Sequence, residues 1–185
     1  MADPTMTAAR RGPLDGRESL PRLGLVTAPP MTRLILRGRE PALAAAETVL
    51  GFALPREACR SAGAGGTHAL WLGPDEWLIL ASASDSPASA LTSAMGDAPH
   101  ALVDVSHRQT GLVVGGEKVE AHLATVCALD VALSAFPVGM CTRTLLGKAE
   151  IVLWRMSESA FHLEVWRSFS PYVWSLLELT GQDLP

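Results

Sequence analysis

From Met31 onward, short apolar runs are broken by glycine and proline, and their periods change between two and about 3.6. Residues 32–36 predict a strand. Residues 41–51 predict a helix: Pro41 suits a first turn, and Leu43, Ala46 and Leu50 fall on one face. Residues 61–66, SAGAGG, read as a flexible loop. Residues 69–72 and 76–80 predict a hairpin around Gly73-Pro74-Asp75. Ser86-Pro87 opens a helix with a side-chain cap; Leu91 and Met95 form its buried stripe, and Gly96 ends it.

The same order then recurs. Residues 102–105 and 111–114 predict strands joined by a short polar turn, and 117–128 an amphipathic helix with Val119, Leu123, Val126 and Cys127 on one side. Residues 149–155 and 161–166 predict a second hairpin around Ser157-Glu158-Ser159. Ser170-Pro171 opens the last helix, with Val173, Leu176 and Leu177 inward and Gly181 closing it. The repeated order implies an α+β domain over 31–185, built of two similar halves at about 31–98 and 99–185, each an antiparallel sheet covered by helices. Residues 1–30 carry Pro4, Pro13, Pro21, Pro29 and Pro30 without periodicity. They read as an irregular arm, either disordered or ordered against a partner.

Composition narrows the classes. Of the 185 residues 48% are hydrophobic, enough to offset the entropy of ordering a chain of one-domain size. The net charge of −4 argues against a nucleic-acid binder. Apolar runs fall short of the ~18 residues of a membrane span. Arg10, Arg11 and Arg17 precede no apolar signal core, so neither export nor a membrane anchor is expected. Cys59, Cys127 and Cys141 are odd in number and lack CxxC spacing, which reads as reduced thiols in a cytoplasmic protein.

Candidate chemistry is sparse. Gly147-Lys148 is followed by Ala149 where a phosphate loop needs Ser or Thr, and Gly63, Gly65 and Gly66 do not space as GxGxxG. Asp104, Ser106 and His107 invite a triad, but strand alternation sends Asp104 and His107 to opposite sides. Asp104 and Ser106 are expected to hold backbone at a strand end instead. His68, His100, His107, His122 and His162 show no metal-ligand spacing. Asp75, Glu76 and Glu158 sit in turns. Glu164, inside an apolar strand, has Arg155 on the facing strand as its expected structural ion pair. No catalytic, cofactor or metal site is read from these residues.

Aromatic residues concentrate late in the chain. Trp154, Trp166, Phe169, Tyr172 and Trp174, with Arg167 and Arg143, have the composition of an interface core, or of a small domain core. On the strand at 161–166, Phe161, Leu163 and Val165 share one face and are expected under the helices. His162, Glu164 and Trp166 share the other, expected to point outward. The candidate partner interface is therefore Trp166, Arg167, Phe169, Tyr172, Trp174 and Arg143. The arm is the alternative cover for that outer face.

Four stretches resemble the gamma subunit of heterotetrameric sarcosine oxidase: LGPDEWLIL (72–80), VDVSHRQTGLVVGG (103–116), FPVGMCTRTLLGKAEIVLW (136–154) and FHLEVWRSFSPYVWSLLE (161–178). More distantly the order resembles the folate-binding fold of aminomethyltransferases. Asp104 and Ser106 match its D-x-S, Gly115 and Gly116 stand near its glycine helix start, Arg155 matches its leading arginine, and Glu164 its final glutamate. Its Y-T-G-E is replaced by Met156-Ser157-Glu158-Ser159, and Thr67-His68 stand where its catalytic aspartate should be. The resemblance implies a non-catalytic subunit that stabilises an assembly with alpha, beta and delta subunits. Those would carry the FAD, FMN, NAD, tetrahydrofolate and zinc of an enzyme that oxidises sarcosine to glycine and hydrogen peroxide. A degenerate folate-binding module is the alternative, and Glu164 is the acid that a folate would need.

Overall fold

The computed structural model describes residues 12–182. Ten strands and four α-helices lie among them. The first half contains β1 (Val26–Thr27), β2 (Met31–Gly38), α1 (Ala42–Leu50), β3 (Ser61–Ala64), β4 (Thr67–Gly73), β5 (Glu76–Ser82) and α2 (Ala88–Met95). The second contains β6 (His100–Asp104), β7 (Gln109–Gly115), α3 (Val119–Ala124), β8 (Cys141–Leu146), β9 (Ala149–Ser157), β10 (Ala160–Trp166) and α4 (Ser170–Gln182).

Two five-stranded sheets result, ordered β6-β2-β5-β4-β3 and β1-β7-β10-β9-β8. Every pairing within them is antiparallel. The two orders correspond strand for strand once the edges are exchanged. β6 leaves the second half to pair with β2, and β1 leaves the first half to pair with β7. The short link after β6 therefore crosses from one sheet to the other.

Three packed cores follow. The α1 and α2 stripes, Leu43, Ala46, Leu50, Leu91 and Met95, cover Leu34, Leu36, Ala69, Trp77 and Ile79 of the first sheet. The α3 and α4 stripes, Leu123, Val173, Trp174 and Leu177, cover Ile151, Leu153, Phe161, Leu163 and Val165 of the second. Between the sheets, Leu70, Leu78 and Leu80 meet Cys141, Val152 and Trp154. Residues 77–80 and 151–154 are continuous apolar runs because those strands are buried on both faces.

Several local expectations need correction. Residues 61–66 are not a free loop: β3 pairs with β4 through Gly65-Gly66, both at positive φ (58° and 83°), which suits a tight hairpin. β8, unforeseen, pairs with β9 across Gly147-Lys148. α3 is shorter than 117–128; Cys127 leaves the helix to bridge Leu146. Ser86 caps weakly, its Oγ accepting the Ala88 N–H at 3.4 Å, and α2 begins just after Pro87. Gly181 does not close α4. It lies inside the helix, where an added Cβ would stand 2.3 Å from Leu23. In 12–30, regular structure is limited to β1 and one 3-10 turn (Pro21–Leu23), yet Leu14, Leu23 and Leu25 are buried in the α3–α4 core.

Candidate functional site

The chemistry-bearing residues divide between a buried cluster and an exposed lip, both on β10. The cluster arises from strand parity. Leu34 and Leu36 face the helices, so Arg33 faces the other sheet, and Phe161, Leu163 and Val165 facing α4 leave His162 and Glu164 facing Arg33. Arg33 Nε donates to Glu164 Oε2 at 2.5 Å, and His162 Nε2 lies 2.7 Å from Oε1. Arg33 and Glu164 side chains are 5% and 0% exposed. The gap between the sheets at this point is kept by Gly111, where a Cβ would come within 2.8 Å of the Arg33 guanidinium and 3.1 Å of Glu164 Oε1. Arg33 also donates Nη1–H to the Met31 carbonyl at 3.2 Å.

Burial alone would raise the Glu164 carboxyl pKa. The hydrogen bond and charge of His162, with the Arg33 guanidinium, outweigh that and hold it below its ordinary value. Beyond His162 the cluster continues as a row of tilted rings: the Trp154 ring centre lies 6.0 Å from that of His162 and 4.7 Å from that of His68. Burial, then the neighbouring His162, lower the His68 pKa. Burial pushes the Cys141 thiol up to about 12, so it stays protonated and unreactive.

The expected Arg155–Glu164 pair does not form. Arg155 stands opposite Phe161 and therefore on the helix face, whereas Glu164 stands opposite Val152 between the sheets. Arg155 is fully buried. It pairs with the Glu120 carboxylate, donates to the Phe136 carbonyl at 2.9 Å and the Glu158 carbonyl at 3.1 Å, and lies 4.6 Å over the Phe161 ring. The partner of Glu164, Arg33, was absent from the sequence reading. Its only signal was an arginine inside the strand run at 32–36.

Asp104 and Ser106 behave as expected of strand-end residues. Asp104 Oδ1 accepts the Ser106 N–H at 2.8 Å, and Ser106 Oγ accepts the Arg33 N–H at 2.9 Å. For a folate, Glu164 is a poor receptor: both its oxygens already take internal donors and its side chain is fully buried.

The lip begins at Trp166, at the end of β10, where a cleft opens between the two sheets. His162 and Glu164 do not point outward as expected; the first sheet covers them. Trp166 alone of that face emerges, 39% exposed, with the Arg108 guanidinium 4.3 Å over its ring. Phe169 and Tyr172 are 44% and 39% exposed, and Arg167 is also on the surface. Tyr172 Oη accepts the Lys148 N–H at 3.1 Å. Trp174 does not belong to the candidate interface: it is 1% exposed and packs in the core with Val173 and Leu177. Arg143 pairs with Glu76 and donates to the Leu72 carbonyl at 3.3 Å. It lines, with Trp166, Glu150 and Glu76, a small cleft of about 150 Å³ between the sheet ends.

The sarcosine oxidase gamma subunit family model matches residues 37–183. The chain belongs to the sarcosine oxidase gamma subunit family. It is 36% identical over 121 residues to a sarcosine oxidase subunit gamma of Arthrobacter sp, covering 65% of this chain and 60% of that one. With that of Corynebacterium sp. (strain P-1) it shares 32% over 130 residues, 70% and 64% of the two chains. The matched stretch thus spans less than two thirds of these curated relatives. A chain of the heterotetrameric sarcosine oxidase from Corynebacterium sp. U-96, solved in complex with pyrrole 2-carboxylate, superposes with a TM-score of 0.86 at 26% identity, over 94% of this chain and 95% of that one. Aminomethyltransferase T of the glycine cleavage system from Bartonella henselae shares the fold, at TM-score 0.61 and 14% identity over 86% of this chain and 48% of its own. Among the described residues, no helix is long and apolar enough to cross a membrane.

Proposed function

We propose that this chain is the non-catalytic gamma subunit of a cytoplasmic heterotetrameric sarcosine oxidase, assembling with alpha, beta and delta subunits and stabilising them. The observation that carries this reading is the near end-to-end superposition on a chain of such a heterotetramer. FAD, FMN, NAD, tetrahydrofolate and zinc then belong to the other subunits. The complex they form would oxidise sarcosine to glycine and hydrogen peroxide and pass the one-carbon unit to tetrahydrofolate. The gamma chain contributes surface rather than chemistry: among the described residues the one fully buried carboxylate, Glu164, is neutralised from within.

The contact surface in this reading is the lip formed by Trp166, Arg167, Phe169 and Tyr172, with Arg143 on the neighbouring cleft. Exposed aromatic and arginine side chains of this kind form the centres of protein interfaces. Affinity purification of the tagged chain from its native cells should bring down three further chains in equal amounts, with flavin absorbance and sarcosine-dependent peroxide formation. Recovery of the chain alone under gentle conditions would overturn the reading. The chain separated from that complex should be colourless, and calorimetry with a reduced folate should register no binding; tight one-to-one binding would favour the folate module instead.

A further inference from the structure

The first sheet ends on β6, with no strand beyond it among the described residues. The other sheet edges are short or held. β1 has two residues and β3 four, and the Ser61 N–H at the start of β3 donates to the Gly139 carbonyl at 2.8 Å. β8 is tied at both ends, by the Cys141 N–H on the Cys59 carbonyl at 3.0 Å and by the bridge from Leu146 to Cys127. Among the described residues β6 has no such tie, and its five residues form the longest open edge.

One bond fixes which backbone groups line that edge. The Val105 N–H donates to the Arg33 carbonyl at 2.8 Å, so in the antiparallel ladder Ala101 and Val103 also turn their backbone groups to β2. Leu102 and Asp104 turn theirs outward. An open edge invites a further strand, and proteins usually guard it with lysine, proline or a bulge. His100-Ala101-Leu102-Val103 has none of these, its pairing with β2 runs without a register shift, and Val103 is 52% exposed.

The chain carries a segment of matching length that arrives at this edge. Residues 1–11 lie outside the described residues. They lead into Gly12, which lines a cavity with Ser106, and Pro13, which lines another with His107, so the chain enters just past the end of β6. Thr5-Met6-Thr7-Ala8-Ala9 is uncharged and free of glycine and proline, and it lies between Pro4 and Arg10-Arg11. Thr5 and Thr7 are β-branched, which suits a strand. Five residues in a strand extend about 17 Å, as β6 does. Arg10 and Arg11, next to Gly12, then fall beside Asp104. A carboxylate accepts several donors, so Asp104 can take an arginine as well as the Ser106 N–H that it accepts at 2.8 Å.

We propose that residues 5–9 add a sixth strand to the first sheet. It runs parallel to β6, because both lead towards residues 106–107, and it takes the outward backbone groups of Leu102 and Asp104. Arg10 or Arg11 fastens its end on the Asp104 carboxylate. The added strand closes the edge through which this chain would otherwise pair with a second copy of itself or with another protein.

The test is hydrogen exchange read amide by amide on the full chain. The Leu102 and Asp104 amides should exchange slowly, and a chain beginning at Gly12 should exchange them roughly tenfold or more faster. The Ala101, Val103 and Val105 amides face β2, so they should stay slow in both chains and report that the shortened one is folded. Met6→Pro and Thr7→Pro in the full chain give a second measure. Proline lacks an N–H, and neighbouring strand residues face opposite ways, so one of the two should speed the exchange of Leu102 and Asp104 and the other should leave it unchanged. Fast exchange of both amides in the full chain would overturn the proposal. Equally slow exchange after the deletion would do the same, because something other than residues 5–9 would then cover β6. Protection that arises only in an assembled complex would assign the edge to another subunit, and equal effects of the two proline variants would exclude a strand; either outcome also overturns it.

Discussion

Glu164 and Trp166 lie on the same face of the same strand, yet one is sealed and the other half open to water. The difference is what stands opposite. Across from Glu164 the first sheet presents Arg33 through the gap kept by Gly111, and the carboxylate is enclosed with its donors. Across from Trp166 a cleft separates the ring from Ile35, Leu72 and Glu76 of that sheet, and the Arg108 guanidinium lies 4.3 Å from the ring centre. The same parity therefore yields a structural clasp at one position and a contact surface at the next. A charge belongs in the first place only if paired, and an aromatic in the second only if something later covers it.

The sharpest way to break this contrast is to unpair the clasp. Arg33→Ala leaves Glu164 charged and buried without its cation, and should cost about 3–5 kcal/mol in chemical denaturation. Replacing both residues together, as in Arg33→Leu with Glu164→Leu, should recover much of that loss. A single Arg33→Ala variant of near wild-type stability would show that Glu164 is solvated in solution. Trp174→Ala should cost a similar amount, about 3–5 kcal/mol, because the ring fills the core under α4.

Gly111→Ala should cost less, about 1–3 kcal/mol, by forcing Arg33 and Glu164 apart. Acid should have a smaller, graded effect. Burial lowers the pKa of His68 and of His122, so as pH falls below their ordinary 6.5 the unfolded chain gains protons that the native state refuses, and stability declines. Glu164, whose pKa is also depressed, adds a second loss as pH falls below its ordinary 4.5. Glu164→Gln should flatten that lower limb only, as read by midpoints of urea unfolding between pH 7 and 3. The smallest effect belongs to the lip. Trp166→Ala should change the stability of the lone chain by about 1 kcal/mol or less, while releasing it from the complex. Collapse of the lone chain would place Trp166 with Trp174 in the core.

Local chemistry along the chain carried the hairpins at 73–75 and 157–159, the two Ser-Pro helix starts, and the set Phe161, Leu163 and Val165 under the last helix. Each depends on neighbours in sequence: turn residues, caps and the alternation of side chains along a strand. The parity that set Glu164 apart from the helix face was equally legible. What occupied the other side was not, because alternation says which residues share a face and nothing about what covers it. Only the folding of one sheet onto the other put Arg33 on Glu164, only the exchange of edges joined β1 and β6 to the opposite halves, and only the packing of α3 on its own sheet set Arg155 on Glu120 instead. Pairs such as Arg33 and Glu164 meet across a sheet-to-sheet contact far apart in the chain, and local periodicity holds no term for that distance. The sequence alone marked Trp166 and Trp174 alike as interface candidates; the cleft between the sheets left the first at the surface, and the packing of α4 buried the second.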